Sequence, residues 1–292
     1  RALFATDCDV YFVFNGTAAN SLALSALCRS TDAVVCHANA HINVDECGAP
    51  HFFSGGVRLL TADTPNAKVT IEALERLAVT PHDVHSARPR ALSLTQSTEL
   101  GTLYTPMEMW ELAECAHGMS MHVHVDGARF ANAVAALGCR PADITWRAGV
   151  DILSFGGTKN GCFGAEAVVV FDKARAASFL YRRQRAGHTF SKMRFLSAQL
   201  DAYVHKGLWL ELARHSNAMM RRLAGGLSRI PDIELHTMPR ANLAFVNFPN
   251  PIWRALEKAG FTFYHWGNTH WHTARLVTAF STDPADIDRF VE

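Results

Sequence analysis

Short apolar runs rich in β-branched and aromatic residues recur along the first part of the chain, separated by longer stretches whose apolar residues fall at helical spacing. The runs Val10–Phe14, Ala33–Cys36, Ala91–Thr95, His122–Val125, Ile152–Phe155 and Ala167–Phe171 predict strands. Helices are predicted over Thr17–Cys28, Thr70–Leu77, Thr105–His117, Ala128–Leu137 and from Lys173 to about Gly187. This is how parallel βα units read, because a strand covered on both faces loses its alternating polar side. The pattern predicts an α/β fold: a large, mostly parallel mixed sheet with helices on both faces, ligands gathering at the carboxyl ends of its strands.

From about Gly207 the pattern changes to a helix through Leu223 and then shorter runs, Leu243–Phe248, Phe261–Trp266 and Ala274–Phe280. Two domains are therefore expected: a large α/β domain over residues 1–206 and a smaller α+β domain over 207–292, closing over the sheet.

Composition narrows the partners. Lys and Arg total 28 against 27 for Asp and Glu, with no long block of one sign, so no footprint for nucleic acid or an acidic lipid surface is expected. No apolar stretch approaches the roughly 20 residues needed to cross a bilayer. Seven scattered cysteines without a CxxC pair argue against a disulfide framework or a thiolate metal site, and a cytoplasmic protein acting on a small molecule is expected. The chain begins on Arg1, so flanking segments are expected beyond it.

Three segments carry candidate chemistry. In His122–Phe130, HVHVDGARF, an apolar run ends at Asp126, where a strand's carboxyl end should meet a ligand; the alternative is a helix N-cap. In Asp151–Gly164, DILSFGGTKNGCFG, another apolar run enters a turn carrying Thr158 and Lys159, and Gly156, Gly157, Gly161 and Gly164 would relieve crowding where backbone approaches a ligand. The alternative for Lys159 is a solvated loop lysine. In Phe14–Asn20, FNGTAAN, Gly16 and Thr17 open a helix whose free N–H groups would suit a phosphate. A phosphate cradle, a carboxylate at a strand end and a lysine on a turn together match what pyridoxal 5′-phosphate requires.

HVDGAR followed by a strand and a lysine turn, with NGTAAN upstream, resembles the fold-type I pyridoxal-phosphate enzymes, in particular the L-threonine aldolases of the β-eliminating-lyase superfamily. AHINVDECGAP, from Ala40 to Pro50, is similar to the low-specificity threonine and phenylserine aldolase branch. The resemblance implies a Schiff base at Lys159, Asp126 on the pyridine nitrogen, Gly16 and Thr17 at the phosphate, Thr158 as a third contact, and His41 stacked on the ring. It also implies that Arg129, beside the cofactor, and Arg275 hold the substrate carboxylate. A homodimer or homotetramer is implied as well. The chain lacks the opening segment such enzymes usually carry, with a serine expected at the substrate carboxylate.

One departure stands out. Many threonine aldolases carry Glu-Asn-Thr-His after the fourth strand, where this chain has Thr95-Gln96-Ser97-Thr98-Glu99. The group that takes the substrate hydroxyl proton is then His41, or a water held by His41 or Glu99; His188 is a further candidate on the substrate side. The residues leave open another fold-type I enzyme, an aminotransferase or β-eliminating lyase, and a non-catalytic module binding a phosphorylated metabolite.

Overall fold

The computed structural model describes residues 1–79, 84–263, 266 and 272–292. Its larger sheet has strands β1 (Asp9–Val13), β2 (Asp32–His37), β3 (Arg58–Ala62), β4 (Arg88–Thr95), β5 (His122–Gly127), β6 (Ile152–Gly156) and β7 (Glu166–Val170). They lie in the order β1-β7-β6-β5-β4-β2-β3. β2 to β6 are parallel, and β7 runs antiparallel to both its neighbours, β6 and β1. This is the mixed sheet that the apolar runs predict. β3 was not among the predicted strands because RLLTA sits at the sheet edge with Arg58 exposed, so it lacks an inner strand's continuous apolar run.

The helices are α1 (Gly16–Leu27), α2 (His41–Val44), α3 (Ala49–Ser54), α4 (Ile71–Ala78), α5 (Pro106–Gly118), α6 (Phe130–Leu137), α7 (Lys173–Ala176), α8 (Phe179–Arg185), α9 (Arg194–Val204), α10 (Leu208–Leu227), α11 (Asn250–Lys258) and α12 (Pro284–Val291). The period-two alternation of β2 shows how the sheet divides them: Val34 and Cys36 join one core with α1 and Phe179 of α8, while Val35 joins the other with α4, α5, α6 and α9. α1 is buried from Ala18 to Leu27, so it shows little amphipathic contrast. α5 starts at a Thr105–Glu108 capping box with Pro106 in its first turn, the combination that satisfies free N–H groups at a helix start.

α10 contributes Trp209 and Ala213 to the core beneath the large sheet, with Trp209 stacked on Phe130 at 6.3 Å. Its later residues Met220, Leu223 and Leu227 belong to a third core with Phe248, Trp253 and Ile287. That core lies under an antiparallel sheet of β8 (Glu234–Leu235), β9 (Leu243–Phe248) and β10 (His272–Val277), in the order β10-β9-β8. One helix thus ties the smaller sheet to the larger.

Four expectations are corrected. The helix expected from Lys173 to Gly187 is two, because the chain bends at Ser178 (ψ −10) and turns Phe179 inward to stack on Tyr11 at 4.6 Å. The helix expected from Ala128 begins at Phe130, since Arg129 has non-helical backbone angles (φ −121, ψ 32). The strand expected over Ala274–Phe280 ends at Val277, as the Thr278 and Asn242 backbones and side chains close the sheet there. Of the strand expected over Phe261–Trp266, residues 261–263 are irregular, continuing from Gly260 in a left-handed conformation (φ 90), and 264 and 265 lie outside the described residues. Among the described residues, no helix is long and apolar enough to cross a membrane, and no disulfide joins the cysteines.

Candidate active site

The carboxyl ends of parallel β4, β5 and β6 open at one edge of the sheet, and Asp126 stands buried near the end of β5. Its Oδ1 accepts the Ala128 backbone N–H at 2.9 Å, a local turn rather than the helix N-cap of the alternative reading, since α6 begins at Phe130 with Arg129 at its N-cap. Its Oδ2 accepts from Asn20 Nδ2, also at 2.9 Å, so a side chain of α1 holds the carboxylate from the opposite side. Asn20 Nδ2 donates in addition to Glu46 Oε1 at 2.8 Å, and Glu46 Oε1 lies 2.8 Å from His41 Nδ1. A continuous line, Asp126–Asn20–Glu46–His41, thus joins three separate segments.

The line favours the charged form of His41. Its hydrogen bond to Glu46 raises the imidazole pKa above the ordinary value; burial opposes this, while the charges of Asp126 and Glu46 assist. Glu46 is raised too, because burial outweighs the hydrogen bonds from His41 and Asn20. A His whose folded pKa exceeds its unfolded value adds stability below the unfolded pKa, and that contribution is lost as pH rises through the folded one. Replacing Glu46 with Gln is therefore expected to lower the His41 titration midpoint, followed by NMR of the imidazole protons. An unmoved midpoint would contradict the Glu46 contact.

Lys159 lies in a one-turn helix after β6, its side chain open to solvent in the cleft while protein surrounds it on most sides. Burial lowers the ammonium pKa, Arg129 adds to the effect, and Asp126, Glu99 and Glu166 oppose it. A depressed amine pKa leaves more neutral nucleophile near neutral pH. The glycines before it have a different reason from the one expected. A Cβ at Gly156 would meet Ala128 O at 2.5 Å, and one at Gly157 would meet Ala165 O at 2.6 Å. Close packing of the chain on itself, rather than ligand approach, requires both.

Arg129 is buried, which pushes its pKa down to about 10, with Arg275 the next contributor. Its Nε has no protein partner. Arg275, on β10 opposite Phe245 of β9, packs against the Trp266 ring at 6.0 Å. Two cations that disfavour one another across a cleft suit a shared anion. Glu99, its pKa raised by burial and then by Asp126, accepts the His41 backbone N–H at 3.2 Å. The neighbouring Thr98 bonds the Thr102 hydroxyl at 2.7 Å.

Lys159, Asp126, His41, Glu99, Arg129 and Gly16 all line one small cavity of about 20 Å³. Beside it, and sharing His41 and Glu99, lies a cleft of about 250 Å³ walled by Arg275, Leu100, Phe245 and Trp266. Thr17 is half-buried in the first turn of α1, whose N-cap Asn15 accepts the Ala18 N–H at 2.8 Å. Thr158 is less free: its hydroxyl accepts the Ala165 N–H at 3.1 Å and also bonds Glu166. His188 lines neither cavity. Its ring packs at a tilt against Phe14, 5.0 Å between centroids, and its Nδ1 accepts the Phe14 N–H at 3.4 Å. A larger apolar cavity of about 530 Å³, between Phe4, Phe12 and Val204, lies away from all these residues.

Sequence reading missed Asn20, Glu46 and Ser97. Ser97 follows Thr95 into the small cavity, and its buried Oγ has no protein partner. A polar residue just past the end of an inner parallel strand was the available signal.

Pyridoxal 5′-phosphate can be tested against this arrangement. The space before Gly16 is open, since a Cβ there would meet nothing within 4 Å, and it adjoins the positive end of α1 where a phosphate is stabilised. The Ser97 Oγ and Arg129 Nε left without partners add unused donors to the same cavity. A buried carboxylate, an amine of lowered pKa and these donors fit the cofactor, and with the mixed sheet they define a fold-type I pyridoxal-phosphate enzyme.

Comparison with known proteins narrows the class. The beta-eliminating lyase family model matches residues 1–249, and the chain belongs to that family. It is 43% identical to the low specificity L-threonine aldolase of Pseudomonas sp. (strain NCIMB 10558), over 98% of this chain and 82% of that protein. It is 46% identical to the Pseudomonas aeruginosa low specificity L-threonine aldolase, over 90% of this chain and 76% of that protein. The solved threonine aldolase of Leishmania major matches with a TM-score of 0.93 at 28% identity, covering 99% of this chain and 84% of that one. The protein is a pyridoxal 5′-phosphate-dependent lyase.

Proposed function

We propose that the protein cleaves the Cα–Cβ bond of β-hydroxy-α-amino acids of the L-threonine, L-allo-threonine and phenylserine type, releasing glycine and an aldehyde. The observation that carries this reading is the pair of joined cavities, in which a carboxylate of raised pKa, Glu99, lies between the lysine and an aromatic-walled cleft. The relatives named low specificity L-threonine aldolase support it.

When bound, the cofactor supplies the electron sink for the breaking bond. Lys159 Nζ, an amine of lowered pKa lining the small cavity, would hold it covalently. Asp126, already fixed by Asn20 and Ala128, would keep the ring nitrogen protonated. Gly16 and Thr17 would bind the phosphate, and His41 would lie against the ring. Arg129 and Arg275 grip the substrate carboxylate, which orients the Cα–Cβ bond for cleavage in preference to the Cα–H bond. Glu99 is the better-placed base for the β-hydroxyl proton. His41 has its Nδ1 at Glu46 and its Nε2 at 3.5 Å from Asp45 Oδ2, contacts that favour its charged form.

The test is a panel of threonine, allo-threonine and phenylserine, assayed for aldehyde, glycine and keto acid. Acetaldehyde and benzaldehyde formed one-for-one with glycine are expected, and Glu99→Gln should slow release about 10²–10⁴-fold. Keto acid in place of aldehyde would identify an aminotransferase or eliminating lyase instead.

We further propose a division at residues 206 and 207 into the two domains, a homodimer or homotetramer, and a cytoplasmic location. Exposed Phe52, Phe163, Tyr181 and Phe195 support the oligomer, and cysteines without disulfides among the described residues support a reducing compartment.

A further inference from the structure

We propose that Glu166 positions the turn bearing Lys159 and, through its charge, sets the pH at which Lys159 captures the cofactor; this rests on Lys159 being the lysine that binds it. β7 reads Glu-Ala-Val-Val-Val and is buried along its whole length, a costly place for a carboxyl unless its oxygens are hydrogen-bonded. Glu166 stands opposite Gly156 of β6 and Val13 of β1, at the point where the chain leaves β6 for Lys159.

The hydrogen bonds go to the residues just before the lysine. Glu166 Oε2 accepts the Gly157 N–H at 3.0 Å, and Thr158 bonds the carboxyl through both its backbone N–H and its hydroxyl. One side chain therefore ties Gly157 and Thr158 to the start of β7. With the Cβ of any other residue at Gly157 excluded by Ala165 O, this turn has little freedom of its own.

Charge adds a second effect. Lys159 is faced by Arg129, which disfavours its ammonium, and by Asp126, Glu99 and Glu166, which favour it; His41 is within electrostatic reach. Glu166 is also faced by Cys162 of the following turn and by Tyr203 of α9. Burial pushes the Glu166 carboxyl up to about 7, against the pull of Thr158, Gly157 and Lys159. When Glu166 takes a proton, the ammonium loses a partner and the lysine pKa falls; when Glu166 ionises, the lysine pKa rises. The coupled pair titrates over a wider pH range than a single amine would.

Apoenzyme is mixed with pyridoxal 5′-phosphate, and the rate at which visible absorbance appears is measured against pH for wild type, Glu166→Gln and Glu166→Asp. The wild-type profile should be broader than a one-proton curve. Glu166→Gln should sharpen it and shift its midpoint to lower pH. Glu166→Asp, which keeps the charge, should capture more slowly with the wild-type midpoint. A Glu166→Gln rate reduced equally at every pH, with midpoint unmoved, would mean a structural role alone and overturn the proposal. A Glu166→Asp midpoint that moves with the Gln variant overturns it too. Should Glu166→Gln not fold, Thr158→Val raises the Glu166 pKa by removing the hydroxyl and must shift the midpoint the same way. Lys159→Ala, run alongside, isolates failure of the underlying assignment: capture persisting there would show that another group holds the cofactor.

Discussion

Lys159→Ala should lose the visible absorbance of the bound cofactor and slow aldehyde release on the order of 10³-fold or more, since the covalent attachment is lost. No other lysine lines either cavity among the described residues, so no neighbour stands ready to substitute. The fold should hardly notice. Lys159 is open to the cleft, and a surface substitution of this kind usually changes stability by no more than about 0.5 kcal/mol. An unchanged melting temperature beside lost turnover is the expected pair of results. A variant that turned over threonine at the parent rate would remove Lys159 from the mechanism.

Asp126→Asn should keep the cofactor attached through Lys159 while lowering turnover about 10²–10³-fold, the equivalent of about 2.7–4 kcal/mol of transition-state stabilisation. It should also destabilise the fold, unlike the lysine variant. Both Asp126 oxygens accept hydrogen bonds, from Asn20 Nδ2 and the Ala128 N–H, and an amide offers only one acceptor oxygen. One buried donor is left unsatisfied at a cost of about 1–3 kcal/mol. Activity and thermal unfolding measured on the same preparation separate the two effects. Lower stability with full activity in the folded fraction would leave Asp126 only its structural contacts to Asn20 and Ala128.

How much of this could be read from the chain depended on whether the signal was local. The inner strands announce themselves because burial on both faces makes them continuously apolar, and β4, β5, β6 and β7 lie within a few residues of their predicted spans. Edge strand β3 and the two-residue β8 have no such run, and the kink that inserts Phe179 under α1 leaves no trace in helical spacing. Asp126 and Lys159 were visible because each follows an apolar run. Glu46 and Asn20 were not, since the one bridges to His41 and the other spans from α1 to β5, and neither contact has a sequence period. Glu99 drew notice only through the missing histidine. Its position beside Arg129 and Lys159 came from the way the segment after β4 folds back over the sheet edge.

The most direct test of the account is borohydride reduction of the cofactor-loaded enzyme followed by peptide mass mapping. The account predicts a single phosphopyridoxyl label, on Lys159. A label on another lysine, or no label at all, would contradict it.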